Sequence, residues 1–153
     1  MTNGGRHMRA PFQILAIPYR KKREYQFCVF HRADIDQYQF VAGGGEDDEK
    51  PSDAAVREIW EETGIGAASV IPLTSMAYIP ASVISEKHRK SWAKDTFVIP
   101  EYAFGFECSA DIILSDEHTG YEWLDYREAM SRVTWDSNRT ALYELNCRLH
   151  DHD

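Results

Sequence analysis

Residues Gly43–Ile65 read GGGEDDEKPSDAAVREIWEETGI, and the rest of the chain is read outward from them. Three successive glycines open the stretch and an acidic segment follows. Pro51 or Ser52 then starts a short helix that Gly64 closes in the left-handed conformation. At about 100° of rotation per residue, Glu58, Glu61 and Glu62 project within roughly a 100° arc. Ala55, Val56, Ile59, Trp60 and Thr63 are expected on the opposite side. One side should therefore meet a core while the other gathers carboxylates.

That gathering is locally unfavourable. Glu58 and Glu62 are one turn apart, where like charges cost about 0.2–0.5 kcal/mol. Glu61 and Glu62 also lie at the end of the helix where the dipole disfavours negative charge. A hard divalent cation would resolve both conflicts, because Mg²⁺, with Mn²⁺ as a substitute, takes oxygen ligands and shares its shell with phosphates. Glu58 and Glu62 are the first choice as ligands, and Glu61 is a further ligand or the group that positions water.

The spacing is more specific than the charge. Gly43 is followed after five residues by Glu49 and after seven more by Arg57-Glu58; Ile59, Glu61, Glu62, Gly64 and Ile65 complete the pattern. This resembles the signature of the Nudix hydrolases, which cleave diphosphate linkages, and every fixed position is filled. The resemblance implies the Nudix fold, a mixed β-sheet in an α/β/α sandwich. It also implies that the Gly43 carbonyl joins the metal shell and that Arg57 and Glu49 form an orienting ion pair behind the ligands. Glu46, Asp47 and Asp48 read as a solvated acidic turn.

The general base is expected to be Glu58 or Glu117. Glu117-His118, Tyr121, Trp123-Leu124-Asp125 and Trp135 with Ser137-Asn138-Arg139 resemble the bacterial dihydroneopterin triphosphate pyrophosphatases. In that group the counterpart of Glu117 is a catalytic or metal-binding carboxylate. His118 reads as a surface histidine. The expected activity is Mg²⁺-dependent pyrophosphohydrolysis of a nucleotide-like substrate, with dihydroneopterin triphosphate first and other nucleoside triphosphates open. The rival is a non-catalytic domain of the same fold that binds nucleotides or a protein partner. The three glutamates count against it.

At 153 residues the chain suits one domain, read as 10–153 behind a flexible arm of residues 1–9. A net charge of −8 argues against binding a nucleic-acid duplex but not a small phosphorylated substrate. Cys28, Cys108 and Cys147 have neither metal-site spacing nor an even count, and no apolar run is long enough to span a membrane. These features lead to the expectation of a cytoplasmic protein, with a homodimer left open. Strands are read at Phe12–Tyr19, Tyr25–His31, Tyr38–Ala42, within 70–84, at Thr96–Cys108 and at Tyr121–Tyr126, and a last helix from Asp136 or Ser137. Pro100 suggests a bulge or an edge position. The basic segment 85–95 reads as a loop.

Overall fold

The computed structural model describes residues 7–67, 69–116 and 118–151. Its longest strand, β1 (Arg9–Lys21), organises the sheet. One edge of β1 pairs antiparallel first with β4 (Val41–Glu46) and then, from Tyr19, with β2 (Tyr25–Arg32). Pro18 falls between these two partners, where its missing N–H removes no bond to either. The other edge runs parallel to β6 (Val98–Glu107), which pairs antiparallel with β5 (Ile71–Pro80). β3 (Gln37–Gln39) and β7 (Gly120–Asp125) both pair with β2, completing a mixed sheet of seven strands.

Alternation along β1 divides the core. Ile14 and Ala16 face one way, packing with Cys28, Phe30 and Phe104 against Ala54, Ala55 and Ile59 of α1 (Pro51–Thr63). Leu15 and Ile17 face the other way with Phe27 and Ala103. There they meet Ala129 of α3 (Tyr126–Arg132) and Leu142 and Leu145 of α4 (Asp136–Asp151). Each buried Leu, Ile or Phe contributes about 1.5–3 kcal/mol. A period of two thus makes two cores and an α/β/α sandwich.

Three sequence readings change. The strand begins at Arg9, inside the segment read as an arm, and Met8 is tied down by its N–H to Asp47 Oδ1 at 2.9 Å. Residues 1–6 lie outside the described residues. The basic segment contains a short helix, α2 (Glu86–Arg89), and Trp92 Nε1 donates to the Arg9 carbonyl at 2.7 Å. Pro100 lies in an interior strand, and the irregular register falls between Pro72 and Met76 of β5 instead. Pro100 is accommodated because β6 begins to pair with β1 only at Glu101. No described helix is long and apolar enough to cross a membrane.

The edge strand β5 is clamped by α4. Glu144 accepts the Thr74 N–H at 2.7 Å, the Ser75 N–H at 2.7 Å, the Ser75 hydroxyl at 2.6 Å and Arg148 Nε at 2.7 Å. Burial pushes its carboxyl up. The Ser75 hydroxyl, the Thr74 N–H, Arg148 and the Ser75 N–H outweigh that and bring it down to about 2. A depressed folded pKa contributes stability that is present above the ordinary value and lost as pH falls through the folded one. Glu144→Gln is therefore expected to lose about 1.5–3 kcal/mol at pH 7. In urea unfolding, its deficit against wild type should shrink from pH 5 towards pH 2; a deficit independent of pH would contradict this account.

Candidate active site

Gly43, Gly44 and Gly45 lie in β4 as extended backbone; the glycine with positive φ is Gly64 at 72°, which closes α1. What the strand glycines supply is room. A β-carbon on Gly43 would collide with the Glu58 carboxyl, and one on Gly44 with the Arg9 guanidinium. Successive residues point to opposite faces of a strand. Glu58 therefore presses on the glycine stretch from the α1 side and Arg9 from the α4 side.

Arg57 is the cation around which the carboxylates assemble. Its Nε and Nη2 donate to the two oxygens of Glu49 at 2.9 and 3.0 Å, a two-pronged fork. Nη2 also reaches the Gly44 carbonyl at 2.7 Å, and Nη1 donates to Glu58 Oε1 at 2.9 Å and Glu61 Oε2 at 2.8 Å. Glu46, read as part of a solvated turn, is half-buried with Oε1 3.2 Å from Nη1. Burial opposes the charge on Arg57, but Glu49 and Glu58 outweigh it and hold the guanidinium's pKa above its ordinary value. Burial also pushes Glu49 upward, and the Arg57 fork reverses the shift, leaving it below the usual range.

The glutamates do not share one solvated face. Their side chains are 49% exposed at Glu61, 15% at Glu58 and 3% at Glu62. The buried side of α1 is Ala54, Ala55, Ile59, Glu62 and Thr63, while Trp60, expected in the core, is 60% exposed. The helix is rotated relative to the sequence reading because its two small alanines, not its tryptophan, fit against β4 and β1. Burial raises the Glu58 carboxyl, against the pull of the neighbouring Glu62 and of Arg57.

His118 is a core residue, 4% exposed, its ring 5.1 Å from that of Phe30. Its Nδ1 is 3.7 Å from Glu62 Oε1. That distance does not make an ion pair, because burial, helped by Arg32 and opposed by Asp34, lowers the imidazole to about 4 and leaves it neutral. The loop before it is anchored to α1 by the Ile113 N–H, which donates to the Thr63 carbonyl at 2.9 Å. Glu117, the other candidate base, lies outside the described residues.

The structure thus brings Gly43, Glu49, Arg57, Glu58 and Glu61 together, with Glu62 buried one helical turn beyond Glu58. Among the described residues, no three His, Cys, Asp or Glu side chains converge as a ready ligand cage. The reason is visible: Glu58 and Glu61 are turned onto Arg57. The donor set still fits a hard divalent cation. It is all oxygen, and the Glu58 carboxyl occupies the very space a β-carbon on Gly43 would fill. A cavity of about 460 Å³ at the C-terminal end of α1, lined by Gly64, Ile65 and Phe106, includes none of these carboxylates.

The family profile of the NUDIX domain matches residues 11–145. The chain belongs to the Nudix family. A Nudix hydrolase structure from Listeria monocytogenes is 44% identical, with a TM-score of 0.82 over 94% of this chain and 97% of its own. The dihydroneopterin triphosphate pyrophosphohydrolase of E. coli is 25% identical, with a TM-score of 0.73 over 94% and 99%. An RNA pyrophosphohydrolase of Bartonella tribocorum is 39% identical over 80 residues, 42% of this chain and 46% of that protein. The chain spans less than half the length of the curated relatives it matches first.

Reading the Nudix signature missed Arg9, whose place beside Gly44 depends on strand register and leaves no local signal. It also missed Glu101, a charged residue within the apolar run Val98–Phe106 that could have been noticed as one. Arg57→Ala removes the counter-charge from several partly buried carboxylates and is expected to destabilise the fold by about 3–5 kcal/mol. Arg57→Lys should recover less than half of that in urea unfolding, since an ammonium cannot form the Glu49 fork. Full rescue by lysine would reduce the fork to simple charge balance.

Proposed function

We propose that this Nudix domain is a Mg²⁺-dependent pyrophosphohydrolase acting on a nucleotide-like di- or triphosphate. The observation that carries this reading is the seating of the Glu58 carboxyl on Gly43, with the buried Glu62 one helical turn further along α1. Glu58 and Glu62, with the Gly43 carbonyl and Glu61, would hold the cation, for which Mn²⁺ is a substitute. When bound, it neutralises charge on the phosphate oxygens and acidifies water.

The remaining work belongs to the chain. Arg57, braced by Glu49, fixes the rotamers of Glu58 and Glu61, so the carboxylates are positioned before substrate arrives. Water attacks one phosphorus of the anhydride, the P–O bond to the bridging oxygen breaks, and the leaving phosphate departs with the electron pair. The proton from water passes to a carboxylate. Glu58 suits that task because its carboxyl is seated against Gly43 and burial raises its pKa. Glu117 is the other candidate, and it directly precedes His118, which sits against Glu62. Full-length similarity to a dihydroneopterin triphosphate pyrophosphohydrolase supports that compound as the first substrate to try, followed by nucleoside triphosphates. RNA 5′-triphosphate ends follow from the partial match.

The test is release of phosphate and pyrophosphate from a panel of these compounds, with Mg²⁺, with Mn²⁺ and with chelator. Glu62→Gln is expected to lower kcat by at least about 10²-fold with its melting temperature retained; turnover near wild type would take Glu62 out of the site. Gly43→Ala pushes only the flexible end of Glu58. It should change stability by less than about 1 kcal/mol while lowering kcat about 10²-fold or more. For the base, Glu117→Gln should alter the pH–rate profile, and an unchanged rate and profile would leave Glu58 alone in that role.

A further inference from the structure

Glu101 is a buried carboxyl that the proposed hydrolysis does not use. It lies in β6, 8% exposed, two residues before Ala103 and therefore on the α4 face of the sheet. Burial raises its pKa, and Ser137, at the start of α4 and lining the same cavity, pulls the other way. A carboxylate offers about four acceptor positions, and a buried one is costly unless they are used. Glu101 lines a cavity of about 100 Å³ with Leu15, Ser75, Met76, Ser137 and Thr140. That is room for the edge of a ring, not for a whole nucleotide.

The register ties this cavity to the carboxylate helix. Gly44, Gln13, Glu101 and Ala77 are neighbours in one row across β4, β1, β6 and β5. At about 4.8 Å per strand, Glu101 stands roughly 10 Å from Gly44. Arg9 covers Gly44 on that face, and its Nη2 donates to Gln13 Oε1 at 2.6 Å. A line of polar groups, Arg9, Gln13 and Glu101, thus runs from the glycine stretch to the cavity.

We propose that Glu101 is a specificity-determining residue that reads a 2-amino-4-oxopyrimidine edge, the edge common to guanine and pterin. The ring N–H and the exocyclic amino group donate to its two oxygens, and the phosphate tail leads past Arg9 towards the glycines of β4, whose other face carries the Glu58 carboxyl. Adenine is disfavoured because it sets an acceptor beside its amino group, facing one carboxylate oxygen with a lone pair. Hypoxanthine keeps the ring N–H but lacks the amino group, leaving one oxygen unpaired. The proposal rests on the hydrolase reading for the phosphate end only.

Calorimetric titration of the full chain with GMP, IMP, AMP and neopterin, without divalent metal, tests it. Wild type is expected to bind GMP or neopterin at least about tenfold more tightly than IMP, and the stronger of the two separates guanine from pterin. Glu101→Gln should bring GMP and IMP within about twofold, with the melting temperature retained. If that variant does not fold, Ala77→Leu fills the cavity while keeping Glu101 and should weaken the preferred ligand at least about tenfold. Equal binding of GMP and IMP to wild type, a preference for AMP, binding of neither GMP nor neopterin, or unchanged affinity in Ala77→Leu would overturn the inference. No bond breaks in these titrations, so a protein that hydrolyses anhydrides without this preference sinks this inference alone. One that shows the preference but no hydrolysis sinks only the catalytic reading.

Discussion

The Arg57 guanidinium is the contact on which this arrangement depends. It joins the body of α1 to the glycines of β4 through the Gly44 carbonyl, and it joins both to the intervening turn through the Glu49 fork. Without it, Glu46, Glu49, Glu58 and Glu61 would face one another across a partly desolvated space, where each like-charge contact is worth more than in water. One cation cannot neutralise so many carboxylates. Burial raises the Glu58 carboxyl, so the remaining excess is costly for the fold to hold by itself. A hard divalent ion would meet the same excess from outside.

The second constraint is steric. Because Gly43 and Gly44 carry no side chains, Glu58 and Arg9 approach the same two residues from opposite faces of one strand. Elsewhere the sheet is insulated by apolar residues: Ile14 and Leu15 separate the α1 core from the α4 core one position along β1. At the glycines that insulation is missing, and the field of Glu58 acts on Arg9. Burial lowers the Arg9 pKa while Glu58 opposes the shift.

What the sequence made legible follows from range. The helix, its stop at Gly64 and the C-terminal helix from Asp136 depend on spacings within a few residues, while the Arg57–Glu49 pair was implied by the family resemblance, and each is found in the structure. The errors concern which way an element faces. Trp60 looked like core by hydrophobicity, yet α1 seats its small residues against the sheet and leaves the tryptophan out. His118 looked like surface by type, yet it closes the space between Phe30 and Glu62. Pro100 looked like an edge marker, although β6 is interior and merely lacks its β1 partner at that position. Helix rotation and strand offset are tertiary decisions, and no local pattern encodes them.

The same distinction separates the two ends of the proposed substrate path. The proposed cation ligands, Gly43, Glu58, Glu61 and Glu62, come from one continuous stretch, so they appear together in the sequence. The ring end draws on β1, β5, β6 and α4: Gln13, Glu101 and Ala77 meet only because two strand registers align them, and α4 brings Ser137 to the cavity. Chemistry common to a family can be confined to a fixed local frame, while selectivity at the far end changes by single substitutions on strands whose packing is already secured by Leu15, Ala103 and Leu142. The cost of burying Glu101 is then borne by the α4 core, which is large enough to carry one carboxyl, and the α1 side is left free to carry the charge that hydrolysis needs.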